Sequence, residues 1–368
     1  MHIAFFTMGM SKGGTERVIS NLCNDYLIGK YKLSIVTYME WHCDYSLDRN
    51  INTYSLDFTP NNSFTQKINE LNKAENKYIE LMKAIQPDVV ISFLPRPCII
   101  ACLAKNKLEI PVIGSYRGNP EYEIKNELLR LFVKKIFNKA DGFVFQTEDA
   151  KKFFCKKLQK KSRIIMNPLN DNFVRETYRG KRSKRVVAVG RFTEEKNYQL
   201  LIRAFSKVIN NYRDYKLVIY GRYDGRLHLK ELVKELDLSD YVVFAGQTND
   251  VAGSIYDASL FVLSSMSEGV PNALMEAMAL GIPVVSTDCP CGGPATLIQN
   301  KENGLLVKNN DVDELANAID YMLSHPIDAA NMAKKATEIG IKYGGKSIYK
   351  EWEKYIVNIC ESKRMEGQ

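Results

Sequence analysis

The chain has 368 residues, 45% hydrophobic and 26% charged, and this composition excludes a disordered chain, a collagen-like repeat and a disulfide-rich scaffold. The length is typical of roughly two domains. No run of about 18 apolar residues occurs, and the first residues lack the basic lead and apolar core of a secretory signal. We therefore expect a cytoplasmic protein without a membrane-spanning helix. The net charge of +8 suits an anionic ligand or an anionic membrane surface.

In chain order, the first half alternates short apolar strands with amphipathic helices, the pattern of a parallel sheet covered by helices on both faces. The predicted strands are residues 3–7, 33–38, 89–93, 112–113, 142–145 and 163–166, and the predicted helices are residues 15–27 and 66–85. Together they predict one complete doubly wound, Rossmann-like α/β domain over residues 1–167.

A polar, turn-rich segment, residues 170–184, is predicted to be a linker, after which the alternation restarts. The predicted strands are residues 185–189, 216–220, 242–245, 260–264, 283–286 and 305–307, and the predicted helices are residues 198–210, 227–236 and 312–323. We expect a second Rossmann-like domain over residues 168–345 and a final helix within residues 346–368 that crosses back to the first domain. Two such domains predict a cleft, since ligands of open parallel sheets bind outside the carboxyl ends of the strands.

The eight cysteines and four histidines are scattered, without the spacing of a metal site. The one close pair of cysteines is Cys289 and Cys291, and a chain without a secretion signal is expected to keep its thiols reduced. We expect no structural metal.

Three loop segments are candidates for chemistry, and the first contains Gly13 and Gly14 between the first strand and the first helix. Glycines let a ligand approach the backbone, and amides at a helix N-terminus suit phosphate or sugar oxygens. The spacing is not that of a dinucleotide-binding fingerprint. The alternative is a tight turn that merely needs glycine.

The second segment runs from Gly190 to Asn197 and follows the first strand of the second domain. Arg191 and Lys196 on this loop would be able to neutralise a diphosphate. The alternative is a pair of solvated surface charges.

The third segment, residues 265–283, contains Glu268 in a loop and Glu276 on a short helix, with Pro271 at the first helical position. The helix is otherwise apolar around Glu276, and burying a carboxylate without a partner is costly. This favours a role for both carboxylates in binding ligand hydroxyls over simple complementation of the helix dipole.

Together these segments resemble the large retaining glycosyltransferase family 4, whose members have the two-domain GT-B fold. The resemblance covers essentially the whole chain. It implies that Arg191 and Lys196 hold the diphosphate of a nucleotide sugar, that Glu268 contacts the transferred sugar's hydroxyls, and that Glu276 holds the ribose. It also implies donor contacts from the backbone of a further set of residues, which are Gly13, Gly14, Gly190, Gly269, Val270, Asn272 and Ala273.

Two positions depart from the family pattern. Many relatives carry a histidine where this chain has Ser115-Tyr116-Arg117-Gly118-Asn119-Pro120, which resembles instead a Glu-Arg-Asn-x-Pro variant of polysaccharide-assembling members. Arg117 thus replaces a neutral donor with a permanent cation, and we count it among the candidate catalytic residues with Arg191, Lys196 and Glu268. Relatives often place a glutamate at the position of Thr296.

Metal-dependent transferases commonly use a DxD motif, and this chain contains Asp311-Val312-Asp313. An apolar-periodic helix follows it directly, so we interpret Asp311 as an N-cap that forms a capping box with Glu314. We therefore expect no metal ion and no cofactor besides the nucleotide-sugar substrate, with cations and helix N-termini neutralising the diphosphate.

Two basic segments, residues 124–139 and 151–163, interleave lysines and arginines with apolar side chains. Such segments bind anionic membrane surfaces. No nucleic-acid motif is present, which favours a membrane over a nucleic-acid partner. A solvated basic face is the alternative.

The resemblance implies a hexosyltransferase that moves a hexose or N-acetylhexosamine, with retention, from a UDP-sugar to an undecaprenyl-diphosphate-linked glycan in surface polysaccharide synthesis. The first domain would bind the acceptor and the second the donor, at the inner face of the plasma membrane. In the expected front-face mechanism the departing diphosphate oxygen takes the acceptor's proton. The alternatives are a UDP-sugar 2-epimerase on the same fold and a non-catalytic, membrane-associated sugar-binding protein.

Overall fold

The computed structural model describes residues 1–11, 13–59, 64–223 and 225–366. The chain forms two compact units. The first comprises Met1–Pro168 and the C-terminal segment that begins at Lys346, and the second comprises Leu169–Gly345.

Within the described residues, the first unit contains a seven-stranded parallel sheet of order β3-β2-β1-β4-β5-β6-β7. Its strands are β1 (His2–Thr7), β2 (Lys32–Thr37), β3 (Ile51–Ser55), β4 (Val89–Phe93), β5 (Val112–Ser115), β6 (Gly142–Phe145) and β7 (Ser162–Ile164). Every residue of β1 and β4 is buried, because helices cover both faces of a parallel sheet.

The helices of the first unit follow the strands as crossover connections. They are α1 (Gly14–Asn21), α2 (Phe64–Ile85), α3 (Pro95–Leu108), α4 (Pro120–Glu123), α5 (Glu127–Phe137), α6 (Glu148–Lys152) and α7 (Lys156–Lys160). The predicted first helix continues beyond α1 as a π-helix, Leu22–Leu27, which buries Leu22, Cys23 and Leu27.

The second unit contains a six-stranded parallel sheet in its described part, of order β10-β9-β8-β11-β12-β13. Its strands are β8 (Ser183–Val189), β9 (Lys216–Tyr220), β10 (Val242–Gly246), β11 (Ala258–Leu263), β12 (Val284–Asp288) and β13 (Leu305–Lys308). Its helices are α8 (Tyr198–Val208), α9 (Leu229–Glu235), α10 (Val251–Ile255), α11 (Asn272–Ala279), α12 (Gly293–Leu297), α13 (Val312–Ser324), α14 (Pro326–Ala336) and α15 (Glu338–Lys342).

The segment predicted as a polar linker is ordered in part. A 3-10 turn, Asp171–Phe173, buries Phe173, and β8 already begins at Ser183. Just before β8, the Arg182 guanidinium donates to the carbonyl oxygens of Ala258, at 2.9 Å, and Gly281. Residues 170–184 are therefore tied to the second unit at both ends.

The last helix, α16 (Gly345–Glu366), packs into the first unit. Trp352 is fully buried, with its ring 5.5 Å from the Phe93 ring of β4. The Tyr355 hydroxyl accepts from the Phe143 amide at 2.8 Å and donates to the Lys161 carbonyl at 2.6 Å. Thus α16 supplies both apolar core and hydrogen bonds to the sheet of the first unit.

All eight cysteines are free thiols. No helix in the described ranges combines the length and the apolar character that crossing a bilayer requires.

Replacing Trp352 by alanine should destabilise the first unit by about 3–5 kcal/mol, because the packed core refills the resulting cavity only in part. Hydrogen exchange of the β4 amides measures this loss. The matched control is Leu128→Ala, since the Leu128 side chain is 77% exposed and its loss should cost less than about 0.5 kcal/mol. Unchanged exchange in β4 of the Trp352 variant would contradict the role given to α16.

Candidate functional site

Three glycines stand at the carboxyl ends of adjacent strands in the second unit. Gly190 follows β8, Gly221 follows β9 and Gly246 ends β10, and the Gly221 amide donates to the Gly246 carbonyl at 2.8 Å. A Cβ atom on Gly221, which has φ +154°, would collide with the Gly190 carbonyl oxygen. Each of these strand ends therefore lacks a side chain of its own, and the side chains of Phe192, Lys196 and Tyr198 lie close to Gly190 and Gly221.

An ion pair lies beside these strand ends, next to Gly190. Lys196, in the 3-10 turn Glu194–Lys196, places its Nζ atom 2.6 Å from Oε1 of Glu268, and the two side chains are only 17% and 13% exposed. The family resemblance assigns Lys196 to the diphosphate and Glu268 to the sugar of a ligand. In the structure the two side chains form an ion pair with each other. Each of the two charges is thus balanced by the other.

The Glu268 loop is held in place on several sides. The Ser265 hydroxyl donates to Oε1 of Glu268 at 2.6 Å. The Glu268 amide donates to the Pro290 carbonyl at 2.8 Å, and the Cys291 amide donates to the Glu268 carbonyl at 2.9 Å. The carboxylate is therefore positioned by its loop before any ligand binds.

Arg191 behaves differently from Lys196. Its side chain is exposed, and within the described part of the chain no residue forms an ion pair or a hydrogen bond with its guanidinium. The structure therefore does not bring Arg191 into the ion pair of Lys196 and Glu268, and the guanidinium is available to an anion.

Helix α11 follows the Glu268 loop. Its residues from Leu274 to Ala279 are buried, including Glu276, which is 6% exposed. Pro271 is the N-cap and the helix begins one residue later than predicted, at Asn272. The partly exposed residues of the loop and of the first turn are Gly269, Asn272 and Ala273, while Val270 is buried.

The Gly269 carbonyl is backed by α12, since a Cβ atom on Gly293 would collide with it. Thr296, where relatives often have a glutamate, donates its hydroxyl to the Gly292 carbonyl at 2.8 Å within the same helix.

Tyr198 is a residue that the sequence analysis missed. It is 3% exposed, and its hydroxyl has no hydrogen-bond partner among the described residues. A Cβ atom on Gly190 would lie 2.9 Å from this hydroxyl and 3.2 Å from Cε of Lys196, so the three residues adjoin. Burial and the negative Glu268 raise the pKa of Tyr198, which stays a neutral donor. The signal in the sequence was a tyrosine two positions after Lys196, because its ring can be buried while its hydroxyl donates a hydrogen bond.

A cavity of about 500 Å³ lies beside the loop that contains Lys196. Its lining includes Thr193, Asn197, Tyr198, Arg226 and Asn310.

In the first unit, Gly13 and Gly14 are exposed at the start of α1. The Gly13 amide donates to the Tyr45 hydroxyl at 3.0 Å, and that hydroxyl donates back to the Gly13 carbonyl at 2.7 Å. The Gly13 amide is therefore engaged by Tyr45, and a ligand that bonds to this amide must displace the Tyr45 hydroxyl.

Arg117 follows β5 at the carboxyl edge of the first sheet. Its Nη2 donates to Oδ1 of Asn167, which also accepts from Nε2 of Gln146 at 2.5 Å. The guanidinium lies 5.6 Å from the centre of the Phe93 ring, and Nη1 is buried without a hydrogen-bond partner in the described part of the chain. Burial lowers the pKa of Arg117 to about 9, so the group is still charged at neutral pH.

Asp311 is an N-cap, accepting from the amides of Asp313 at 3.1 Å and Glu314 at 3.0 Å. The predicted reciprocal bond of a capping box is wrong, because the Glu314 carboxylate accepts from the Lys308 amide at 2.7 Å instead. Among the described residues, no three His, Cys, Asp or Glu side chains are grouped as metal ligands.

Comparison with known families gives two matches. The model described as "Glycosyl transferases group 1" matches residues 171–339, and the model described as "Glycosyl transferase 4-like" matches residues 12–147.

Relatives align over nearly the whole chain. An uncharacterized glycosyltransferase of Haemophilus influenzae is 29% identical, and the alignment covers 95% of this chain and 98% of that protein. A Campylobacter jejuni protein is named as an α-1,4-N-acetyl-D-galactosaminyltransferase that acts on a diphospho-undecaprenol-linked glycan. It is 26% identical over 98% of this chain and 99% of its own.

Solved structures share the fold. Sucrose-phosphate synthase from Thermosynechococcus elongatus superposes with a TM-score of 0.84 at 19% identity, covering 98% of this chain and 100% of that one. Anabaena HepE in complex with UDP superposes with a TM-score of 0.81 at 16% identity, covering 97% and 100%. The chain therefore has the GT-B fold and belongs to the group 1, family-4-like glycosyltransferases.

Proposed function

We propose that this glycosyltransferase moves a hexose or N-acetylhexosamine, with retention, from a UDP-sugar to an undecaprenyl-diphosphate-linked glycan in surface polysaccharide synthesis. The observation that carries the proposal is the largely buried ion pair of Lys196 and Glu268 beside the glycine-bearing strand ends of the second unit. A cation and a carboxylate side by side match a donor that joins a diphosphate to a sugar rich in hydroxyls.

The names of similar proteins support the proposed substrates. Two Campylobacter jejuni relatives are named as N-acetylgalactosaminyltransferases that act on diphospho-undecaprenol-linked glycans. A Rhizobium meliloti relative is named for lipopolysaccharide core biosynthesis. The HepE structures contain UDP or UDP-glucose.

Donor binding would divide the ion pair between two parts of one ligand. Lys196 turns to the diphosphate together with the exposed Arg191, and Glu268 accepts hydrogen bonds from sugar hydroxyls. The buried Glu276 holds the ribose. Backbone donors complete the site, with amides of Gly269, Val270, Asn272 and Ala273 facing the sugar and phosphates and with the backbone of Gly190 beside the diphosphate.

The proposed chemistry is front-face displacement. The bond between the anomeric carbon and the diphosphate oxygen breaks, the acceptor hydroxyl bonds to the same face of that carbon, and its proton passes to the departing oxygen. Negative charge grows on the diphosphate as the bond breaks, so Arg191 and Lys196 stabilise the transition state more than the bound substrate. The family membership favours transfer over a 2-epimerase or a non-catalytic sugar-binding protein.

The first unit would receive the acceptor and lie against an anionic membrane at the cytoplasmic face. Helix α5 buries Val133, Ile136 and Phe137 yet also exposes a second apolar set, and we call this exposed set the α5 surface: Leu128, Leu129, Leu131 and Phe132. Exposed apolar patches mark interaction sites.

Cations border the α5 surface, which favours a lipid partner. Lys134 and Lys135 lie in the last turn of the helix. In the second basic segment, Lys151 and Lys152 pair with acidic neighbours and Lys161 turns inward to the Asn138 carbonyl. The charges left for a membrane on that segment are Lys156, Lys157 and Lys160 on α7 and the exposed Arg163 on β7.

Replacing Arg191 or Lys196 by alanine should lower kcat by on the order of 10² or more, because each cation meets charge that develops in the transition state. Steady-state transfer from a UDP-sugar to a lipid-linked acceptor measures this. Lys207→Ala is the control, since that exposed lysine pairs with Asp313 away from the loop. Near-normal transfer by either site variant would remove that residue from the active site.

Transfer should continue in EDTA, because lysine and arginine are assigned the neutralisation that a metal ion provides in other transferases. The measurement compares initial rates before and after dialysis against the chelator. Complete loss of activity that only Mn²⁺ restores would contradict this expectation.

Reversing Lys134, Lys135, Lys156 and Lys157 to glutamate should abolish flotation with anionic vesicles and leave UDP binding unchanged. Raising the salt from 0.1 M to 1 M should weaken the wild-type association, since screening shortens the reach of exposed charges from about 10 Å to about 3 Å. The control reverses Lys230 and Lys234, which are exposed in the second unit. A quadruple variant that still floats would show that the basic face is only solvated surface.

A further inference from the structure

Several buried polar atoms of the first unit lack hydrogen-bond partners at the carboxyl ends of neighbouring strands. Within the described residues they are Oγ1 of Thr7 at the end of β1, Oγ of Ser92 in β4, Oγ of Ser115 at the end of β5 and Nη1 of Arg117 just beyond β5. Buried polar groups are rarely left unpaired, so their concentration at one edge calls for a partner outside the chain.

The strand register places two of these groups on one face of the sheet, on either side of Phe93. Phe6 pairs with Ser92 and Phe93 pairs with Ser115, so Thr7 is level with Phe93 on the neighbouring strand. Residues in register on parallel strands point to the same face. Thr7 and Ser115 therefore lie on the same face of the sheet as Phe93. The Arg117 guanidinium lies over the ring of Phe93, 5.6 Å from its centre.

The charge of Arg117 is uncompensated in the described structure. Among the described residues, its one hydrogen bond goes to the neutral Asn167 oxygen, which also accepts from Gln146, and no carboxylate forms an ion pair with it. The nearby Glu123 carboxylate accepts from the Tyr116 hydroxyl at 2.7 Å. A guanidinium stays protonated at neutral pH, and a buried charge without a counter-ion is costly.

We propose that Arg117 binds a phosphate oxyanion of the substrate at the carboxyl edge of the first sheet. A phosphate group accepts several hydrogen bonds at once and supplies the missing negative charge. Asn167 and Phe93 position the guanidinium from one edge and one face, and among the described residues Nη1 is the donor left without a partner. The identity of the substrate rests on the proposed function, in which both the nucleotide sugar and the lipid-linked acceptor carry a diphosphate.

The test uses the full chain and the variant Arg117→Met, whose apolar side chain can occupy the space over Phe93. Titrations with inorganic pyrophosphate, with UDP and with a short-chain lipid diphosphate follow the binding affinity. We expect the variant to bind pyrophosphate roughly tenfold or more weakly, since a charge-assisted hydrogen bond is lost. Arg49→Met, at an exposed arginine of the same unit, is the matched control and should bind like the wild type.

The two organic probes distinguish the source of the phosphate. Weakened binding of UDP alone assigns Arg117 to the donor, and weakened binding of the lipid diphosphate alone assigns it to the acceptor. Unchanged affinity of the variant for all three probes overturns the proposal. Pyrophosphate binding that depends on Arg117 supports it even if no UDP-sugar is transferred, so that its outcome is separate from that of the proposed function.

Thermal unfolding without ligand separates binding from a structural role. Removing an uncompensated buried charge should leave the melting temperature of Arg117→Met unchanged or raise it. A fall of several degrees would mean that Arg117 mainly supports Asn167 and Gln146, which overturns the proposal. Arg117→Lys, which keeps the charge but not the planar fork, should retain part of the phosphate affinity.

Discussion

Parallel pairing makes the strands of each sheet run in one direction, so the loops that follow them collect at a single edge. In the first unit the central strands β1 and β4 are buried along their length, because helices cover both faces of the sheet. Polar chemistry is thereby concentrated at the strand ends. Lys196 and Glu268 meet at that edge in the second unit, and Arg117 lies at the corresponding edge in the first.

Three cations at these edges illustrate different ways of preparing a site for an anion. Lys196 is paired with a carboxylate, Arg191 is exposed, and Arg117 is charged, positioned and without a counter-ion among the described residues. Positioning lowers the entropy that ordering costs on binding, whereas an exposed side chain loses its freedom only when the ligand arrives. An uncompensated cation instead lowers the stability of the free protein in favour of the liganded state.

The sequence predicted the elements whose pattern is strong and local. The strands at residues 89–93, 142–145 and 216–220 have the predicted bounds because each is a short apolar run. The edge strand β3 was missed because only Ile51 is buried, and α3 was missed because its near-continuous apolar sequence has no helical period. Residues of the site were identifiable by type, but Lys196 and Glu268 are 72 positions apart and Arg117 and Asn167 are 50 apart. Their pairing depends on how loops pack, which no local pattern encodes.

The position of α16 also sets the order in which the units can be completed during synthesis. Trp352 and Tyr355 belong to the core of the first unit, yet the ribosome makes them after all of the second unit. Nascent domains fold as units while the chain emerges. The second unit can therefore complete its folding first. The sheet of the first unit is synthesised earlier, but the Phe93 side of β4 stays uncovered until α16 has been made. A chaperone that protects nascent apolar surface would be needed longest for the part of the protein that is made earliest.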